Sequence, residues 1–369
     1  MTAPLVSRLE SSALAANDPV QKAICSAHIA CYLARVGEFD EVERRRVTLR
    51  REFGDGRSAP VSILIMCVEA LVLFYRGLDP GARDRLARAN LLSVACRQPD
   101  LVALTYSWLA HIDFNLGNFE SMSLAIKRCM HAIASDDGTA LLRVSLVLGD
   151  ALSFSGHAGG ARKWYEQARL ISTRLGDQAA IGAITYNRAA LRVAAARLRS
   201  LTLQADDQTL AMLDAEVRSA VNYQSLARLN SLDHLLQSAT IGVLMLQERY
   251  TDASEAIDRL LATSSVPVDS SELALLYADS ALALMNSGHS DLAVDRAKAA
   301  LAINADAFGA DDKALLHGTL SDFSLAIGET TAAEHYRMQR DAALLEHEVT
   351  ISSLTNFLEQ YIAGPVTGP

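Results

Sequence analysis

The chain has 369 residues, of which 50% are apolar and only 6% aromatic, and it contains eight prolines and 20 glycines. Because these two helix-breaking residues fall well below the roughly 12% of an average globular chain, the composition predicts long helices and disfavours an aromatic-rich β-sandwich or barrel. The formal net charge of −9 disfavours nucleic acid as a ligand, since binding to phosphates requires an excess of Lys and Arg.

Two stretches near the N-terminus bear on targeting. An N-terminal segment over residues 1–16 contains Glu10 and lacks the continuous apolar core of a signal peptide. The most apolar run, Val61 to Tyr75, is about 15 residues long and is interrupted by Ser62 and Glu69, whereas a bilayer span needs roughly 20 residues. We therefore expect no membrane contact and a cytoplasmic location.

Glycines recur along the chain at intervals of 40 or 39 residues and predict turns between helices. We call these positions joints; one without a glycine is placed near Arg197 by interpolation, and Glu248 stands 40 residues before Gly288. The eight joints are Gly37, Gly77, Gly117, Gly156, Arg197, Glu248, Gly288 and Gly328. A repeat of this period is typical of stacked helix hairpins.

Small residues recur at fixed distances from the joints. Seven positions before them stand Ala30, Ala70, Ala110, Gly149, Ala190, Ile241, Ala281 and Ser321. Five positions after them stand Val42, Ala82, Met122, Ala161, Thr202, Ala253, Ala293 and Ala333. Because small side chains let two antiparallel helices approach closely, this pattern predicts that each joint closes a helix hairpin.

The pattern around Gly156 resembles the tetratricopeptide (TPR) family. Within Leu142 to Leu175, Leu148 and Gly149 precede the joint, and Ala161 and Tyr165 follow it, in the family's alternation of large and small positions. The forty-residue period is similar to the longer repeats of bacterial regulators, namely LuxR-type ATP-dependent activators and the sensor segments of diguanylate cyclases. The resemblance implies an all-α, right-handed α-solenoid of about eight helix hairpins with a C-terminal capping helix.

The predicted organisation has four parts. Residues 1–16 form the N-terminal segment, and residues 17–349 form the TPR-like array. Polar or proline-containing stretches predict seams in the array near 200–207 and 263–271. A C-terminal helix is predicted from Thr331 to about Tyr361, and its last part defines a capping or coiled-coil segment over 350–363. The tail that follows, residues 364–369, is expected to be disordered.

The C-terminal helix has two interpretations. Leu344, Ile351 and Leu358 recur every seven residues, with Leu354 and Tyr361 among the positions offset by three, which is the pattern of a short coiled coil. The helix either caps the last repeat or joins two copies of the chain into a homodimer.

The sequence predicts no enzyme, no cofactor and no metal site. It contains no Gly-Lys pair, which excludes a phosphate-binding P-loop. Its nine histidines never form an HExxH motif, and the neighbouring side chains of Glu346, His347 and Glu348 diverge on a helix. The five cysteines have no CxxC spacing and are expected to be buried thiols in a reducing compartment.

The resemblance also implies a concave groove, lined by the first helix of each hairpin at about 3, 6, 10 and 13 positions before the joint. The groove candidates are His111, Phe114, Arg143, Asp150, Ser153, Asn187, Met245, Met285 and Asp322. We expect a non-catalytic scaffold that binds a protein or peptide in this groove, in bacterial signalling or regulation. The alternative is a sensor that binds a small ligand or signalling peptide and passes the change to a separate output protein.

Overall fold

The computed structural model describes residues 3–134, 138–231, 233–263, 266–268 and 270–365. In these residues it contains 17 α-helices, a short 3₁₀ helix and no β-strand, which confirms the predicted all-α class. The helices are α1 (Pro4–Ala15), α2 (Pro19–Val36), α3 (Phe39–Phe53), α4 (Ala59–Gly77), α5 (Gly81–Ala95), α6 (Pro99–Asn115), α7 (Phe119–Ala132), α8 (Gly138–Phe154), α9 (Ala158–Leu175), α10 (Gln178–Ser200), α11 (Asp207–Ala227), α12 (Asp233–Leu246), α13 (Tyr250–Ala262), α14 (Ser271–Asn286), α15 (Ser290–Ala302), α16 (Ala310–Ala326) and α17 (Thr330–Leu358), with the 3₁₀ helix at Glu359–Tyr361.

Prolines and side-chain caps fix several helix starts. Asp18 Oδ1 accepts a hydrogen bond from the backbone N–H of Val20 at 3.0 Å, directly before Pro19 opens α2. Pro60 and Pro99 also lie in the first turns of α4 and α6. A first-turn N–H has no partner within the helix, so a helix loses no hydrogen bond to a proline there.

Most predicted joints lie between two helices and adopt a left-handed backbone. The joints with positive φ are Gly37 (87°), Gly117 (70°), Gly156 (81°), Glu248 (56°), Gly288 (84°) and Gly328 (83°). Gly77 is the last residue of α4, and the neighbouring Leu78 takes the left-handed conformation with a φ of 53°. This conformation ends a helix and reverses the chain, and it favours glycine because glycine has no Cβ.

The joint placed near Arg197 is wrong. Arg197 lies inside α10, and the chain leaves that helix only at 201–206, within the first predicted seam. Asp206 Oδ1 accepts the backbone N–H of Thr209 at 2.6 Å and so caps the start of α11. The second predicted seam falls between α13 and α14, where residues 264, 265 and 269 lie outside the described part of the chain.

The small residues around the joints are buried, with two exceptions. Ala190 is half-buried and Thr202 is exposed, and both were assigned to the misplaced joint near Arg197. At Gly149 a Cβ atom would lie 2.7 Å from Cδ1 of Tyr165, so α8 and α9 already touch through this side chain. Small side chains therefore allow close helix contact at the correctly placed joints.

The chain divides into two compact units. Unit 1 comprises Met1–Thr185, Asn222–Leu232 and Leu354–Pro369, and unit 2 comprises Tyr186–Val221 and Asp233–Ser353. The long helices α10, α11 and α17 each contribute residues to both units.

Unit 1 includes the predicted N-terminal segment and the C-terminal residues from Leu354 onward. The segment 1–16 forms helix α1, whose Leu5 N–H donates to the carbonyl oxygen of Gly176 at 3.2 Å. Leu354 and Leu358 are fully buried in the core of unit 1. These two heptad positions therefore pack within the chain.

The predicted boundaries at the C-terminal end also change. The helix that the sequence predicts from Thr331 to about Tyr361 is confirmed as α17, which begins at Thr330 and passes through the segment boundary placed at residue 350. Of the predicted tail 364–369, residues 366–369 lie outside the described part of the chain. Gly364 is described, and its N–H donates to the carbonyl oxygen of Tyr361 at 3.0 Å.

Unit 2 has an alanine-rich core. Ala278 and Ala281 of α14 are fully buried with Ala293 of α15, and larger side chains such as Leu320 and Phe323 of α16 fill the remaining space. Arg197 of α10 pairs with Asp279 of α14 at 2.6 Å, with both side chains largely buried. A buried ion pair of this kind fixes the two helices at one register.

Helix α4 is the one helix in the described residues that is long and apolar enough to cross a membrane. It has 19 residues, which is more than the apolar run in the sequence suggests. In the most apolar 18-residue stretch of α4, 56% of the residues are buried inside the protein. Glu69, near the centre of the helix, is also buried.

Candidate ligand pocket in unit 1

A small cavity of about 210 Å³ opens in unit 1. Its walls come from α1, α2, α6 and α8 and from the junction between α9 and α10. The lining residues are Leu5, Arg8, Leu9, His28, Cys31, Tyr32, Arg35, Leu104, Trp108, Thr139, Leu142, Arg143, Leu175 and Asp177. We call this cavity the Arg143 pocket.

Helical spacing explains why these side chains meet. On α2, the lining residues from His28 to Arg35 recur at i, i+3, i+4 and i+7, which is one face of a helix. On α6, Leu104 and Trp108 are one turn apart, and on α8 Thr139 and Arg143 have the same spacing. The pocket is therefore built from helix faces rather than from loops.

Arg143 is the unusual residue of the pocket. Its side chain is buried, with 4% of the residue exposed, and its Cζ lies 3.8 Å from the centroid of the Trp108 ring. The buried Nη1 has no hydrogen-bond partner among the described residues. Since a buried charge is costly unless it is paired and hydrogen-bonded, this guanidinium needs an acceptor.

The electrostatics of Arg143 confirm that its charge is poorly compensated. Burial lowers the pKa of Arg143, and the positive charge of Arg35 lowers it further. Asp177 and Asp150 attract the guanidinium and act in the opposite direction, yet the pKa remains below its ordinary value. The surroundings therefore stabilise the charged form less than water does, and a bound anion would oppose this effect.

Arg35, the second buried arginine, already has a partner. Its Nη2 lies 2.7 Å from Oδ2 of Asp177, and its Cζ lies 5.3 Å from the centroid of the Tyr32 ring. Burial opposes the charge of Arg35, but the carboxylate of Asp177 raises its pKa overall. Asp177 also accepts the N–H of Ala180 at 2.9 Å through Oδ1, so both carboxylate oxygens are engaged.

Burial favours the neutral forms of the histidines and of the cysteine near the pocket. Burial lowers the pKa of His28 and raises the pKa of the Cys31 thiol to about 12, although Arg35 opposes the latter shift. His111 lies behind Trp108, with ring centroids 5.6 Å apart, and its pKa is well below the ordinary value because of burial and the nearby Arg143. A protonated thiol is a poor nucleophile, so these groups suit binding better than covalent chemistry.

The predicted groove residues lie in both units. Of the nine, only Arg143 lines the unit 1 pocket. His111 and Asp150 are buried close to it, and Asp150 Oδ1 accepts a hydrogen bond from the Tyr165 hydroxyl at 2.7 Å. Phe114 and Ser153 are half-buried elsewhere in unit 1.

Four of the nine lie in unit 2, where two of them share a second pocket. Met245 and Asp322 line a cavity of about 480 Å³ between α10, α11, α12, α14 and α16. Asn187 and Met285 are half-buried and do not line it. This unit 2 pocket also contains the Arg197–Asp279 ion pair and is acidic overall, because Asp207, Glu248 and Asp322 join it.

Three residues of the Arg143 pocket had no signal in the repeat pattern. Arg35 and Asp177 are widely separated in sequence, and Trp108 lies outside the register positions used to choose groove candidates. One signal was available for Trp108, since the chain has only two tryptophans and few aromatic residues overall.

No group of three or more His, Cys, Asp or Glu side chains within the described residues is arranged to hold a metal ion. Comparison with known proteins adds no family: no protein-family model matches the chain, and no curated protein is significantly similar to it. A functional proposal rests on the geometry of this chain's own residues.

Proposed function

We propose that this chain is a non-catalytic regulatory protein that senses a small molecule in the Arg143 pocket and passes the change to a separate output protein. One observation carries the proposal: a buried guanidinium, whose Nη1 has no hydrogen-bond partner in the described part of the chain, lines a partly open cavity. A cavity of this size is below the roughly 300 to 1,000 Å³ of drug-sized ligand sites, so the ligand is small.

The helical turns support a TPR-like architecture for this protein. Left-handed glycines such as Gly117 and Gly156 separate successive helices, and small residues around them are buried. We propose that these hairpins form a right-handed solenoid of about eight units, with α17 as its cap. In such an array each hairpin packs on its neighbours, so a ligand bound across α1, α2, α6 and α8 links several of them.

A protein or peptide scaffold is the second candidate. It is favoured by the unit 2 pocket, which is more than twice as large as the Arg143 pocket and combines the flexible side chain of Met245 with the exposed carboxylate of Asp322. Methionine adapts to differently shaped partners, and carboxylates attract basic side chains. On this hypothesis the partner is a basic peptide segment.

Thermal unfolding with a small-molecule library tests the first proposal. A ligand that binds only the folded chain stabilises it by RT ln(1 + [L]/Kd), so its Tm rises with the logarithm of the ligand concentration once that exceeds Kd. We expect hits with the wild-type protein that disappear in Arg143→Gln and persist in Arg162→Gln, whose arginine is exposed on α9. A library without hits, together with a captured protein partner that is lost in Asp322→Lys, would favour the scaffold.

A further inference from the structure

We propose that the Arg143 pocket selects a small organic carboxylate, carried on a single ring or a short apolar group. This inference rests on the proposed function and deepens it by naming the chemical class of the ligand. Three features of the pocket support it: the charges of its lining residues, the Nη1 nitrogen of Arg143, and the size and composition of the cavity walls.

The charge balance calls for an anion. Two buried guanidinium groups, Arg35 and Arg143, line the pocket, and Asp177 is the one acidic side chain among its lining residues. That carboxylate is engaged by Arg35 and by the backbone of α10. Arg8, exposed on α1, adds a further positive charge at the wall. Among the lining residues a bound anion would therefore balance the charge of Arg143, and the buried carboxylate of Asp150 is the other negative group that acts on this guanidinium.

The position of Arg143 suits a carboxylate in particular. Trp108 lies against the guanidinium at 3.8 Å and restricts its movement without using any of its N–H groups. The Nη1 nitrogen is left without an acceptor. A guanidinium is planar and pairs with the two oxygens of a carboxylate through parallel hydrogen bonds, and such charge-assisted bonds are among the strongest in proteins.

The remaining walls set the size and polarity of the ligand. Leu104, Leu142 and the Trp108 ring are buried and apolar, and Leu5 and Leu175 are half-buried beside them. The cavity of about 210 Å³ is somewhat larger than the roughly 150 Å³ cavity known to hold benzene. It therefore fits one ring or a short chain together with a carboxylate, and apolar walls disfavour a fully hydrated anion such as inorganic phosphate.

Tryptophan fluorescence of the full-length chain provides the test. Both tryptophans, Trp108 and Trp164, lie in unit 1, so Trp164→Phe leaves a single reporter at the pocket. In that background we expect benzoate to change the Trp108 emission saturably and to bind at least tenfold more tightly than the neutral benzamide. Arg143→Gln should weaken benzoate at least tenfold with little effect on benzamide, Arg143→Lys should lie between, and Arg162→Gln should match the parent.

Three results would overturn the inference. Equal affinities for benzoate and benzamide, both reduced by Arg143→Gln, would show a ligand pocket without preference for anions and would leave the proposed function standing. Binding of inorganic phosphate without benzoate would assign the pocket to a phosphoryl group. Absence of binding by benzoate, phenylacetate and hexanoate would reject the carboxylate class, while the library screen judges the sensor function separately.

Discussion

The Cζ of Arg143 lies 3.8 Å from the centroid of the Trp108 ring, and both side chains are buried. Cation–π contacts stabilise proteins by roughly 0.5 to 2 kcal/mol, with the larger values where the groups are desolvated. We expect Trp108→Leu and Arg143→Met to show a coupling of about 1 to 2 kcal/mol in a double-mutant cycle. Urea unfolding followed by Trp164 fluorescence measures it, and additive effects would argue against a structural contact.

The ion pair between Arg35 and Asp177 makes a separate prediction. Asp177→Asn keeps a side chain that can cap α10 but leaves Arg35 buried without a counter-charge. Breaking a buried pair in this way typically costs about 3 to 5 kcal/mol, and we expect unit 1 to lose at least about 3 kcal/mol of unfolding free energy. The exposed pair of Arg57 and Asp55 supplies the control, since Asp55→Asn should leave the fluorescence-detected midpoint unchanged.

Two glycines of neighbouring helices test the close contact between α8 and α9. A Cβ at position 149 would lie 2.7 Å from Tyr165, whereas a Cβ at position 159 meets nothing within 4 Å. We expect Gly149→Ala to destabilise unit 1 by about 1 to 3 kcal/mol through overpacking. Gly159→Ala should stabilise it by about 0.5 to 1 kcal/mol through higher helix propensity. Equal effects of the two substitutions would refute the contact.

Unit 2 contains a carboxyl group that makes its stability depend on pH. Burial raises the pKa of Glu272 to about 7, against the hydrogen bond donated by Ser238, and Asp312 adds to the rise. The folded state holds this proton more tightly than the unfolded chain does. The stabilising contribution is therefore complete below an ordinary carboxyl pKa and disappears as the pH rises through 7.

The substitution Glu272→Gln isolates this effect. His234 Nε2 lies 3.4 Å from Oε2 of Glu272. Burial lowers the pKa of His234, so the contribution of His234 to folding stability is present at high pH and is lost as the pH falls. We expect the variant to gain stability relative to wild type between pH 5 and pH 8. Urea unfolding followed by circular dichroism, with tryptophan fluorescence reporting unit 1 alone, measures the difference. A difference in stability between variant and wild type that stays constant with pH would show that Glu272 does not cause the pH dependence.

The sequence predicted the helical class and most of the turns because their causes are local. A glycine such as Gly117 marks a left-handed turn wherever the chain must reverse, and the burial of Ala110 follows from its fixed distance to that turn. The prediction of a joint near Arg197 was wrong because that joint was placed only by dividing the interval between Gly156 and Glu248. The actual turn at 201–206 was marked by its polar residues instead.

The candidate pocket was only partly predictable. Arg143 was identified from its register in the repeat, but its burial depends on α2 and α6, which lie far away in the sequence. The pairing of Arg35 with Asp177 spans 142 positions, and no sequence pattern links the two residues. Such long-range partners depend on how helices pack, and no local pattern records that packing.

The distribution of unit 1 along the chain affects how the protein is made. Its main core contains residues of α2 to α10 together with Leu354 and Leu358. During translation the early helices leave the ribosome long before these two leucines, because all of unit 2 is synthesised in between. Apolar surface that Leu354 and Leu358 later cover stays exposed through most of synthesis, and a nascent chain stalled within unit 2 would be a natural substrate for chaperones.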